Sequence, residues 1–333
     1  MTRRLRKVPM LIPAAVLIGL LSGCGALVGL GPVPTGPVGG AVDASRAQAI
    51  AARVVAAAVK ADATPTSAGD AARRLVYTGD ALAAATADAR LMATTDAKTK
   101  DARLLSAAPP VVLAVSRGLT YPRTMVVQTT RATSGLPVLY LLTTPDVRTP
   151  YQIASSAPML AGASVKVFDP LTRGSLPVGT GSGLSVTPTA LTEGYAASLA
   201  FPAPAGKATT PPVVPNDSFA QAVRASAANQ SKGMNGIGTF TQVHTAQDVV
   251  GGLRVVGGAG ALVFVAMDRR DAFLNRTTGT ITPSKQFTAL TGLKTVTSEA
   301  NLSTLEIVVF EIPDTGPAVT VAAEEHLDAA SGI

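Results

Sequence analysis

The chain has 333 residues, a formal net charge of +7, no tryptophan, 4% aromatic residues and a single cysteine. One cysteine excludes a disulfide framework and a thiolate metal site, so apolar cores alone must hold the fold. No dense Lys/Arg cluster with interleaved aromatics follows the N-terminus, which excludes a nucleic-acid partner as the meaning of the charge.

The first element in chain order is a leader. Arg3, Arg4, Arg6 and Lys7 precede an uncharged apolar run over residues 8–21. That length suits the h-region of a secretory signal and is too short to span a bilayer comfortably. Leu21-Ser22-Gly23-Cys24 follows. This tetrapeptide resembles a bacterial lipobox, where a diacylglycerol is joined to the thiol before the leader is removed. The resemblance implies cleavage between Gly23 and Cys24, acyl chains of the palmitate kind on Cys24, and a place on the extracytoplasmic face of the cell membrane. Each buried CH₂ contributes ~0.8 kcal/mol, so two or three acyl chains make a nearly permanent lipid anchor. Residues 1–23 are then signal peptide. Four positive charges leave with them, and the mature chain carries a net charge of about +3, too small to argue for a polyanion. No second apolar run is long enough to span a membrane, so the mature chain is expected to be anchored and not to cross.

Residues 24–42 are Gly/Pro-rich and read as a linker. A helix is predicted from Asp43 or Ser45, both good N-caps, with Ile50, Val54, Val55 and Val59 on its apolar face and Thr64-Pro65 at its end. A second helical region runs from Asp70, is interrupted at Gly79-Asp80 and continues over 82–92. After Pro109-Pro110 the period changes, and strands are predicted at 111–115, 125–130, 137–144 and 151–155. Helices followed by a strand meander define an α+β pattern, here a first domain over 43–170. A Gly/Pro/Ser/Thr-rich linker covers 171–187. The second domain, 188–330, repeats the order: a helix over 188–199, a Pro-rich insertion at 201–215, and a helix capped by Asn216 or Asp217 that carries Phe219, Val223 and Ala227. Strands follow at 238–244, 253–256, 261–267 and 305–312, and a last apolar stretch at 318–322 runs into Glu324 and Glu325.

Residues capable of chemistry are few. His244, by alternation, shares a strand face with Phe240 and Gln242 and is expected to be half exposed. His326, in Glu324-Glu325-His326-Leu327-Asp328, falls near a terminus expected to fray. Gly251-Gly252 and Gly257-Gly258-Ala259-Gly260 bracket a short apolar run; a phosphate loop needs a helix next, and a strand follows, so a hairpin is predicted. Met267-Asp268-Arg269-Arg270-Asp271 reads as a strand-end turn with surface ion pairs. Asn275-Arg276-Thr277 matches a glycosylation acceptor, which a bacterial leader makes irrelevant. No nucleophile elbow or zinc-protease motif occurs. No catalytic, cofactor-binding or metal-binding residue is therefore expected, and the chain is not read as an enzyme.

Several short segments resemble an uncharacterised group of actinobacterial lipoproteins: the Cys24 leader, Leu119-Thr120-Tyr121-Pro122-Arg123, Leu136-Pro137-Val138-Leu139-Tyr140, the helix around 191–199 and the segment 257–264. That resemblance implies an envelope address and no particular activity. The element order also resembles the cystatin-like or NTF2-like fold, in which helices pack on one face of a curved antiparallel sheet. Two similar domains of that kind are expected, able to hold a small ligand or to dimerise through a sheet face. The expected function is a membrane-anchored binding or interaction protein of the cell envelope. The alternatives are a small apolar ligand-binding or transport-accessory lipoprotein, and an enzyme working through carboxylates such as Asp268 or Asp271.

Overall fold

The structure is a computed structural model that describes residues 39–64, 67–179, 183–204 and 217–333. The leader, Gly23 and Cys24 lie outside the described residues. So do the linker up to residue 38, Pro65 and Asn216, and most of the Pro-rich insertion.

Helix α1 (Ala44–Asp62) begins at Asp43, whose carboxylate accepts a hydrogen bond from the Arg46 amide at 2.9 Å and so satisfies one free N–H of the first turn. Its buried face is Ala47, Ala51, Val54, Val55, Ala58 and Ala61. Val59, expected on that face, is 47% exposed. Val54 and Val55 are buried as expected, and four alanines extend the stripe around them. Helices α2 (Ser67–Val76) and α3 (Gly79–Leu91) flank the expected interruption, where Gly79 takes a φ of +53° that favours glycine. Thr78 occupies the N-cap position of α3. A short α4 (Ala97–Arg103), capped by Asp96 on the Thr99 amide at 2.8 Å, has no counterpart among the sequence expectations.

Strands β1 (Val111–Val115), β2 (Arg123–Thr130), β3 (Pro137–Thr144) and β4 (Gln152–Pro158) form an antiparallel meander in the order β1-β2-β3-β4. The second half repeats the arrangement. Helix α5 (Pro188–Ser198) is capped by Thr187, and α6 (Ser218–Gly233) by Asp217, which accepts from the Phe219 and Ala220 amides. Strands β5 (Gly238–Arg254), β6 (Gly260–Asn275), β7 (Glu299–Pro313) and β8 (Val319–Gly332) make a second antiparallel sheet in the order β5-β6-β7-β8, with α7 (Lys285–Thr291) between β6 and β7. The chain is thus α+β with two four-stranded antiparallel sheets.

The second sheet corrects the sequence reading. Its strands are 14 to 17 residues long, and the segments expected as separate pieces at 238–244 and 253–256 are one bulged strand. Charged stretches taken for strand ends continue the ladder. His244 pairs with Arg269, Leu305 with His326, and Glu306 with Glu325. Polar side chains that satisfy one another across strands leave the backbone pairing intact.

Residues Gly39–Ile333 form one compact unit. Alternation along the central strands explains its layering. In the first sheet Val126, Leu139 and Leu141 belong to one core with Leu262, Phe264, Ile307 and Val309 of the second. The intervening residues Met125, Val127, Tyr140 and Leu142 pack against α1 and the start of α3. On the far side Val263, Val265, Val308 and Phe310 pack under α5 and α6. Helix, sheet, sheet and helix therefore stack in four layers. Strands buried on both faces read as unbroken apolar runs, which is why 261–267 lacks alternation. The segment predicted as the linker 171–187 is fastened to both sheets: Ser175 bridges to Ser116 and Pro177 to Leu253. At the sheet edges Met159, just after β4, bridges to Ala322 of β8.

Candidate functional site

Beside that junction is a pocket of about 370 Å³, within the size range of small-molecule sites. Ala81, Ala84, Ala85, Asp88, Ala89 and Met92 line it from α3. Their spacing of i, i+3, i+4, i+7, i+8 and i+11 puts them on one helix face. Because four are alanines, the wall stops short of β3 and leaves space. Val59 of α1, Leu104 and Leu105 after α4, and Val138 of β3 complete the apolar surface.

The polar residues form two groups. At the rim the Tyr77 hydroxyl donates to Asp62 Oδ2 at 2.6 Å. Surrounding protein raises the Asp62 carboxyl above its ordinary value, despite that hydrogen bond. Tyr140 is buried nearby; burial pushes its phenol up and keeps it protonated at neutral pH.

The second group is a closed ring contributed by both halves of the chain. Arg131, just past β2, pairs with Glu324 of β8 at 3.2 Å. Glu324 lies 3.8 Å from His326 Nε2, and His326 Nδ1 lies 3.1 Å from Asp88 Oδ2. Asp88 pairs with Arg103 at 2.8 Å, and Arg131 donates to the Arg103 carbonyl at 2.5 Å, which closes the ring. Burial opposes a charged His326, but the Asp88 hydrogen bond and the Glu324 and Asp88 charges outweigh it and raise the imidazole above its ordinary value. Burial would likewise push the Asp88 carboxyl up; His326 and Arg103 outweigh it and hold it below the usual range.

A second buried cluster lies on the helix-covered side of the β5–β8 sheet. Glu306, fully buried, accepts from Arg269 at 3.1 Å and lies 2.8 Å from His244 Nδ1. Arg269 also pairs with Asp271 at 3.2 Å and with Glu325, and Gln242 donates to Asp271 at 2.8 Å. These residues do not line the pocket, and their arrangement accounts for holding charge inside the sheet.

These positions correct two expectations. His244 is buried, not half exposed, and His326 is buried in a paired strand, not near a frayed end. Asp271 belongs to the buried ion-pair cluster, and Asp268 accepts from Gln247 at the surface at 2.7 Å. Neither lines the pocket. The glycine-flanked run is a hairpin closed by a 3₁₀ turn, with Gly257 at φ +68°. Asn275 donates to the carbonyls of Gly279 and Thr297 and is a turn staple. Cys24 and Gly23 lie outside the described residues.

The pocket residues Asp62, Tyr77, Asp88, Arg103, Arg131 and Tyr140 escape sequence reasoning because they lie on α1, α3, α4 and β3 and just beyond α2 and β2, and fit no motif. One signal was present: Asp88 is a lone charge on the alanine face of α3. Among the described residues no group of three or more side chains could hold a metal ion, and no helix is long and apolar enough to cross a membrane. Comparison with family models, with curated proteins and with solved structures finds no match to the chain.

Proposed function

We propose that this chain is a lipid-anchored, extracytoplasmic binding protein whose pocket between α3, β3 and β8 takes a small molecule with an apolar body and a polar end. The observation that carries the reading is the pocket itself: alanine and aliphatic walls over a hydrogen-bonded polar floor, the usual make-up of a ligand site. Asp62, Asp88, Arg103, Arg131 and Glu324 already have protein partners, while the Lys100 ammonium and His326 Nε2 lack a hydrogen-bond partner among the described residues and are left for a ligand. The anchor rests on the Cys24 lipobox pattern, and the envelope address on the resemblance to actinobacterial lipoproteins. Helices on one face of each antiparallel meander favour cystatin-like or NTF2-like ancestry for each half.

Two experiments test this. Replacing Cys24 with Ala and fractionating cells should move the protein out of the membrane fraction; retention there contradicts the anchor. For the pocket, the full-length chain in phosphatidylcholine vesicles is irradiated with a diazirine-bearing decanol. Saturable labelling should occur and should be lost in Ala85→Phe, which fills the space beside α3. Saturable labelling that persists unchanged in Ala85→Phe contradicts the pocket.

A further inference from the structure

The charges around the pocket do not balance. The ring holds Arg103, Arg131 and His326 against only Asp88 and Glu324. With the imidazole charged, it carries one positive charge in excess. Lys100 of α4 stands at the mouth, exposed, and its ammonium has no ion pair or hydrogen bond among the described residues. Against these two surplus cations stands one carboxylate, Asp62, whose only side-chain hydrogen bond among the described residues comes from a neutral phenol. An unpartnered cation at the mouth of an apolar pocket is complemented by a molecule with one negative charge and an apolar body.

On the reading of the pocket as a ligand site, we infer that its ligand is a single-chain anionic amphiphile, with the chain along the alanine face of α3 and a carboxylate between Lys100 and the Arg103–Asp88–His326 side of the ring. Lys100 is then the specificity-determining residue. Among the described residues it is the one cation of the group with no carboxylate to hold, so a bound anion displaces none of them. Arg103 and Arg131 keep their partners and add a favourable field. An amine would meet the same field with the wrong sign, and an alcohol would gain nothing from it.

The preference is also pH-dependent. His326 is faced by Asp88 from α3, Arg103 from α4 and Glu324 on its own strand, and through Glu324 by Arg131 beyond β2. The two neighbouring carboxylates keep it protonated above the ordinary histidine value. Raising the pH past that point removes the ring's surplus charge. Deprotonation of Asp62, whose carboxyl is also raised, acts in the same direction at lower pH.

The test is displacement of the diazirine-decanol label from the full-length chain in zwitterionic vesicles. Decanoate, decanol and decylamine are compared at equal free aqueous concentration. Decanoate should displace the label at a concentration roughly tenfold lower than decanol, a preference of about 1.4 kcal/mol. Decylamine should be the weakest of the three. Lys100→Gln, an exposed change that leaves the walls intact, should remove most of the decanoate advantage without altering displacement by decanol. The advantage should shrink as pH rises above the histidine range. Equal displacement by all three, or strongest displacement by decylamine, overturns the anionic ligand while leaving the pocket in place. Absence of any displaceable label overturns the pocket and this inference with it.

Discussion

Asp88 on α3 and His326 on β8 are separated by 238 residues in the chain and joined by a 3.1 Å contact between Oδ2 and Nδ1. This pair fastens a helix of the first half to the last strand of the second. It also forms part of the pocket floor, so fold and site share one bond.

Removing the pair should loosen the junction. Asp88→Ala leaves Arg103 and the buried His326 without their shared carboxylate. A loss of about 1–3 kcal/mol is expected, as for hydrogen bonds to charged groups. Urea unfolding measures it, and a change below a few tenths of a kcal/mol would show that the pair contributes nothing.

The same pair sets a pH window. His326 is raised, so its contribution is fully present below the ordinary value of 6.5 and is lost as pH rises through the folded value. Asp88 is lowered, so its contribution is present above the ordinary 3.8 and is lost as pH falls through the folded value. The link therefore stabilises most between these two ordinary values. The melting-temperature difference between the wild type and His326→Gln should be largest in that interval and decline above neutrality. A difference that grows toward alkaline pH would refute the assignment.

Glu306 holds His244 and Arg269 together inside the second sheet. Glu306→Ala strands a buried guanidinium that keeps only Asp271 and Glu325, and a cost of about 3–5 kcal/mol is expected from breaking such a buried pair. Chemical denaturation of the variant reads this directly. A near-neutral result would mean that the remaining carboxylates suffice.

Gly252 sits where β5 crowds β6. A Cβ there would meet the Leu262 carbonyl oxygen at 2.2 Å and a Val178 methyl at 3.0 Å. Backbone cannot yield cheaply, so Gly252→Ala should destabilise by about 1–3 kcal/mol, whereas Gly279→Ala, with only a side chain at 3.5 Å, should be tolerated. Parallel thermal melts of the two variants decide it.

The first half was largely legible in the sequence. Turn residues at Gly118, Pro122, Ser134-Gly135 and Pro145-Asp146 punctuate β1 to β4, and apolar runs between them match the strands closely. In the second half the helices at 188–198 and after Asp217 were legible too, but the full length of the strands was not, because Arg269, Glu306 and Glu325 are charged residues that pair across strands. A single sequence shows the charges without their partners, so they look like strand ends. The pocket was hidden for a related reason. A cavity is made by what is small, and the alanines of α3 look like ordinary helix filler until the tyrosines of β3 and α2's end stand opposite them. The ring was less legible still, since its members are spaced from position 88 to position 326.

The most direct test of the binding account is the position of the photo-label. After irradiation with diazirine-decanol, peptides of the full-length chain are mapped by mass spectrometry. The account predicts label on α3 between Ala81 and Met92 and on β3 near Val138 and Tyr140, lost together in Ala85→Phe. Label confined to other surfaces, with those two segments unmodified, would contradict it.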